Sequence, residues 1–172
     1  GGIVSPEVDN RSLKREDIIK DRLWTTDKTI SKKMTEKILE AKSKGDSVGG
    51  VVEIVARGVP LGLGEPVFDK LEADIGKGLL SIGAVKGVEF GGGFNLSGLS
   101  GSESNDQIDS KGFLTNRAGG IVGGISNGED IVVRVAVKPI PSIAKEQKTI
   151  DSEGNERSIK IEGRHDPCAI PR

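Results

Sequence analysis

Apolar residues recur at helical spacing between Thr29 and Lys44, where Ile30, Met34, Ile38, Leu39 and Ala41 share one face. Asp27 or Thr29 can cap the start of this helix, and Gly45 can supply a left-handed stop. The other face carries Lys32, Lys33, Glu36, Lys37, Lys42 and Lys44, and reads as a solvated surface rather than a nucleic-acid patch. The period then changes to two. From Val48 to Arg57, Val52, Ile54 and Ala56 line one face of a strand and Glu53 and Arg57 the other, which predicts one dry face. A turn-rich stretch from Pro60 follows, and Pro66 suits the first turn of a second helix whose stripe is Phe68, Leu71, Ile75, Leu79 and Ile82. Gly76, Gly78 and Gly83 each cost this helix roughly 1 kcal/mol relative to alanine, which predicts that a ligand or another helix packs close to its backbone.

Val85 to Phe94 reads as a strand broken by Gly91-Gly92-Gly93, and the polar stretch from Ser97 to Asp109 as a mobile loop. Asn127-Gly128 is a strong tight-turn pair. Beyond it Ile131, Val133, Val135 and Val137 alternate with Val132, Arg134, Ala136 and Lys138, the clearest strand in the chain, which Pro139 and Pro141 end. A hairpin is expected from Lys148–Ile150 and Ser158–Ile161. Residues 1–28 show no sustained period and read as an irregular lead-in to a helix and sheet body over 29–172. Helices and hairpin-compatible strands without regular βαβ alternation predict an α+β fold, an antiparallel or mixed sheet packed on helices.

Composition sets bounds on this picture. The 172 residues suit a single domain, and apolar residues with the 25 glycines make up about half of them, as in ordinary globular chains. Twenty-five basic against 26 acidic residues leave a formal charge of -1, so no global field favours nucleic acid or an anionic membrane. No apolar run approaches the roughly 20 residues of a membrane span. One cysteine cannot form an internal disulfide, and the start has no leader pattern, so the cytoplasm is the expected compartment.

Three segments carry candidate chemistry. Gly119-Gly120-Ile121-Val122-Gly123-Gly124 lacks both the dinucleotide glycine order and the lysine of a phosphate-binding loop. It suits either tight packing or approach of backbone N–H groups to a ligand, with Asn116 and Arg117 as polar handles. Lys138-Pro139-Ile140-Pro141-Ser142-Ile143 sets an ammonium, a hydroxyl and rigid backbone at a strand end, as a ligand site or a plain connection. In Gly163–Arg172, Arg164 can bind an anion bidentately and Asp166 can accept a proton or orient a donor. In an extended segment those two share a side that His165 avoids. Cys168 reads as a buried inert thiol, and one cysteine with one histidine make no closed zinc site; no metal is expected.

Gly163 to Cys168 (GRHDPC), Asn116 to Gly128 (NRAGGIVGGISNG) and Ile82 to Phe90 (IGAVKGVEF) resemble the chorismate synthase family. Gly58 to Asp69 (GVPLGLGEPVFD) and Gly45 to Gly49 (GDSVG) fit it in the same order. The resemblance implies a lyase of the shikimate pathway that makes chorismate from 5-enolpyruvylshikimate 3-phosphate by 1,4-elimination of phosphate. It further implies reduced FMN, with NADPH as the flavin's reductant, and a homotetramer with a β-α-β sandwich fold that is internally duplicated. By resemblance the flavin meets Gly83, Ala84, Gly123, the run Lys138, Pro139, Ile140, Pro141 and Ser142, and Arg164. Arg164 also holds substrate anion, and Asp166 is the catalytic carboxylate. Pro141 stands where relatives often have a small hydroxyl residue, which leaves backbone contacts there.

The family's glycine-glutamate-serine-histidine-glycine segment, its second catalytic histidine and its arginine-serine flavin motif have no counterpart here. His165 matches neither family histidine and receives no role. The expectation is therefore a central to C-terminal portion of one synthase domain, cut at both ends and inactive alone. The competing expectations are a non-catalytic packing or binding module and a flavin oxidoreductase.

Overall fold

The computed structural model describes residues 12–171; the first part of the expected lead-in lies outside them. The described residues divide into two compact units, one of 12–50 and 138–171, the other Val51–Val137.

In the first unit a single turn, α1 (Arg15–Ile18), precedes α2 (Lys28–Ser43). The Asp27 carboxylate accepts from the N–H groups of Thr29 and Ile30, two donors the first turn would otherwise leave unpaired. Gly45, at φ 63°, turns the chain out of the helix as its position predicts. The expected hairpin is present as β8 (Gln147–Ile150) and β9 (Glu156–Ile159), paired antiparallel.

The second unit is built on a three-stranded sheet in the order β1 (Gly50–Ala56), β7 (Ile131–Val137), β2 (Val85–Phe90). β2 and β7 are antiparallel, with Glu89 opposite Arg134 and Val88 opposite Val135. Val85, Ile131, Val133 and Val135 are buried together with Ile121, and Leu71, Ile75 and Leu79 of α3 (Leu71–Leu80) pack on them. The helical stripe and the alternation of β7 thus meet each other, which is the core of this unit.

Four expectations are corrected. β1 has no dry face, because Val51 and Ile54 are exposed and no β1 side chain joins the core cluster; it is an edge strand. The second helix begins at Leu71 and not near Pro66, because Glu65 N–H donates to Asp69 O and closes a separate turn, leaving Phe68 90% exposed. A Cβ at Gly76, Gly78 or Gly83 would meet no atom of the chain within 4 Å, so no other helix packs close to the backbone there, and the surface is left open to a ligand. The hairpin turn falls at Gly123-Gly124, between β5 (Ile121–Val122) and β6 (Ile125–Ser126), while Asn127-Gly128 only bends the chain toward β7. Gly123 and Gly124 have φ of 61° and 90°, the two positive values that this turn requires.

The polar stretch expected as a loop takes up a 3-10 helix (Gly93–Gly98), a one-turn α4 (Gly101–Ser104) and a small hairpin, β3 (Ile108–Asp109) with β4 (Gly112–Phe113). Among the described residues no helix is long and apolar enough to cross a membrane.

Candidate functional site

The sites that the sequence singles out are divided between the two units. In the Val51–Val137 unit the glycine cluster separates residue by residue. A Cβ on Gly119 would lie 2.4 Å from Gly91 N, and one on Gly120 would lie 2.6 Å from Asp130 O. One on Gly124 would lie 2.5 Å from Lys70 Cγ. These three are packing glycines. Gly123 differs: it is exposed at the hairpin tip, and a Cβ there would meet nothing within 4 Å. Its backbone is open to a ligand.

Three polar side chains hold this cluster. Asn116 Oδ1 accepts from Gly120 N–H at 2.7 Å and its Nδ2 donates to Asp130 O at 2.8 Å, so Asn116 is a brace and not a free handle. Asp106 accepts from the Thr115 hydroxyl at 2.6 Å, Arg117 N–H at 2.7 Å and Ala118 N–H at 2.8 Å. Burial pushes the Asp106 carboxyl up, but these hydrogen bonds and the Arg117 charge outweigh it and hold the group below the usual range. Ser126, 1% exposed, donates to Pro60 O at 2.6 Å and accepts from Leu63 N–H at 2.9 Å. Leu71 N–H donates to Gly124 O at 2.9 Å, so the hairpin tip caps α3. Sequence reasoning missed Asp106 and Ser126: neither falls in a recognisable spacing, and the only hint was a small hydroxyl residue in an apolar hairpin.

At the other end of α3, Gly83 is exposed and Ala84 adopts φ 71°. A residue with a Cβ is strained there by roughly 1–2 kcal/mol, which marks the junction as a position the surroundings over-determine.

In the other unit, Lys138, Pro139 and Pro141 are exposed and Ile140 and Ser142 half-buried. Ser47 Oγ donates to Ile140 O at 2.6 Å, and Gln147 Nε2 reaches Pro141 O at 3.5 Å. Asp46 pairs with Lys145 at 2.5 Å, and that hydrogen bond is the main reason its carboxyl titrates below the usual range. Val48 N–H donates to Pro167 O at 2.8 Å, so the segment Gly45–Val48 touches both the Lys138–Ser142 run and the terminal decapeptide. In the decapeptide Arg164 is exposed, Asp166 half-buried and Cys168 buried. His165 Nε2 lies 3.0 Å from Ile161 O, an interaction that anchors the ring to its own chain. Among the described residues no group of three or more His, Cys, Asp or Glu is placed to hold a metal.

Helices packed on antiparallel β-structure define an α+β protein. The family model for chorismate synthase matches residues 4–172, and the chain belongs to that family. The chorismate synthase of Desulfosudis oleivorans is 62% identical over 146 residues, covering 85% of this chain and 41% of that protein. That of Syntrophus aciditrophicus is 52% identical over 171 residues, covering 99% of this chain and 48% of that protein. A crystal structure of chorismate synthase matches with a TM-score of 0.68 at 40% identity, over 74% of this chain and 40% of the other. The chain thus spans less than half the length of these relatives.

Proposed function

We propose that the chain carries part of the active site that converts 5-enolpyruvylshikimate 3-phosphate to chorismate with reduced FMN. The observation that carries the reading is family membership over residues 4–172. In this elimination a C–O bond to phosphate breaks with its electron pair, a C–H bond supplies the new double bond, and a proton leaves. The site must therefore stabilise an expelled anion and receive a proton.

Within each unit taken by itself, the residues suit a flavin. Gly83 and Gly123 offer backbone that no neighbouring atom crowds, and Ala84 holds the adjoining strained junction. Lys138, with Pro139, Ile140, Pro141 and Ser142, presents an exposed ammonium beside rigid backbone, a fitting partner for a phosphate. Reduced FMN, when bound, would lend an electron and recover it within each turnover, and NADPH would be the reductant that first brings the oxidised flavin to its reduced state. Arg164 binds flavin and substrate anion, its guanidinium fork matching phosphate or carboxylate. Asp166 holds a proton at a carboxylate oxygen.

Both units are read as portions of one synthase domain, a duplicated β-α-β sandwich that assembles as a homotetramer in the full-length enzyme and works in the cytoplasm. The chain alone lacks a second histidine and the arginine-serine motif and is inactive. The test grafts this chain into the Syntrophus aciditrophicus enzyme in place of the segment to which it aligns. Arg164→Ala with Asp166→Asn lowers kcat/KM about 10³-fold or more. Unchanged turnover supports the non-catalytic module instead and overturns the assignment.

A further inference from the structure

The Lys138–Ser142 run leaves β7 as irregular chain with little to hold it. Pro139 and Pro141 have no N–H to donate, so no ladder can fix the run from both sides. Among the described residues, two side chains anchor it unequally. Gln147 Nε2 approaches Pro141 O at 3.5 Å, the outer limit of a hydrogen bond, whereas the half-buried Ser47 donates to Ile140 O at 2.6 Å. The shorter bond joins positions 93 apart in sequence.

Ser47 is itself held firmly. On one side of it Gly45 O accepts from Ala144 N–H at 3.0 Å, and Asp46 pairs with Lys145; on the other, Val48 N–H donates to Pro167 O at 2.8 Å. The same four residues therefore fasten the run that carries Lys138 and the stretch that carries Arg164 and Asp166.

We propose that Ser47 is a positioning residue for the flavin: its hydroxyl fixes the Ile140 carbonyl, and through it the backbone of the Lys138–Ser142 run. This inference rests on the chorismate synthase reading. Ser47 acts through the peptide between Ile140 and Pro141, which its hydroxyl bonds directly. Without the hydroxyl, the run keeps the long Gln147 contact, with the Gly45–Ala144 and Asp46–Lys145 contacts lying beyond it. Flavin binding must then order a looser segment.

The experiment measures reduced-FMN affinity of the Syntrophus aciditrophicus graft anaerobically, alongside its urea midpoint. Ser47→Ala weakens reduced-FMN binding about three- to tenfold in folded protein. Ser47→Thr, which keeps the hydroxyl, restores affinity to within about twofold, and Ser47→Cys, a weaker donor, falls between. Should the alanine variant not fold, the cysteine and threonine variants still rank the effect. A shift in urea midpoint with unchanged affinity in every variant means that Ser47 is merely structural, which overturns the proposal and leaves the family reading intact. A folded, unsubstituted graft that fails to bind reduced FMN overturns the chorismate synthase reading and this inference with it.

Discussion

Replacing Ser126 by alanine removes a hydroxyl from the most deeply buried polar side chain among the described residues, 1% exposed. Two backbone groups lose their partner, Pro60 O at 2.6 Å and Leu63 N–H at 2.9 Å. Pro60 and Leu63 are themselves exposed, so water can reach the freed groups in part. We take the low end of the roughly 1–3 kcal/mol for each unsatisfied group, about 2 kcal/mol in total. The backbone bonds from Gly62 N–H to Ser126 O and from Ser126 N–H to Leu63 O remain and limit the damage to the Pro60–Leu63 connection. With a urea m-value of about 2 kcal/mol/M, the expected fall in midpoint is about 1 M. Urea titration followed by far-ultraviolet circular dichroism reads the shift, and amide exchange at Leu63 should accelerate more than exchange in β7. A midpoint change below about 0.2 M would show that the buried hydroxyl does not hold this connection.

Gly119→Ala and Gly123→Ala should part company. The first drives a Cβ to 2.4 Å from Gly91 N and destabilises by more than about 3 kcal/mol, whereas the second costs only the roughly 1–2 kcal/mol of a left-handed alanine while weakening reduced-FMN binding. Denaturation midpoints and flavin titration of the graft check both, and unaltered FMN affinity in Gly123→Ala removes that residue from the site. The Asp106 carboxyl titrates below its ordinary value in the folded chain, so its stabilising effect is present above about pH 4 and is lost as pH falls through the lower folded value. Asp106→Asn turns an NH₂ group toward one of three donors and costs about 2 kcal/mol near neutrality. Its unfolding midpoint should fall less steeply below pH 4 than that of the unsubstituted chain, and an identical slope would refute the assignment.

Legible in the sequence were a capped helix, a strictly alternating strand and a hairpin, of which only the strand supplies the buried core. α2 with its Asp27 cap, the buried alternation of β7 and the terminal hairpin are where their periods put them. Pattern failed where neighbours decide. β1 has the alternation of a half-buried strand, yet Val51, Ile54 and Ala56 are exposed, Val52 and Val55 only half-buried, and none of them joins the core cluster. Pro66 and Phe68 extend a helical stripe on paper, but the Glu65–Asp69 turn intervenes. The glycine cluster could not be divided in sequence between packing and ligand, because only three-dimensional neighbours distinguish Gly119, against the Gly91 backbone, from Gly123, against nothing. The motif residues Arg164 and Asp166 were legible as chemistry, whereas Ser47, Asp106 and Ser126, which hold the segments in place, act through bonds to distant backbone that leave no periodic trace.

The central claim is that this chain carries chorismate synthase chemistry, and its most direct measurement is an anaerobic turnover assay of the graft with reduced FMN and 5-enolpyruvylshikimate 3-phosphate. The account predicts chorismate and phosphate in equal amounts, many turnovers for each flavin, no net flavin oxidation, and no product from the 172-residue chain alone. Stoichiometric loss of reduced flavin, or a folded graft that binds FMN and releases no phosphate, would contradict it.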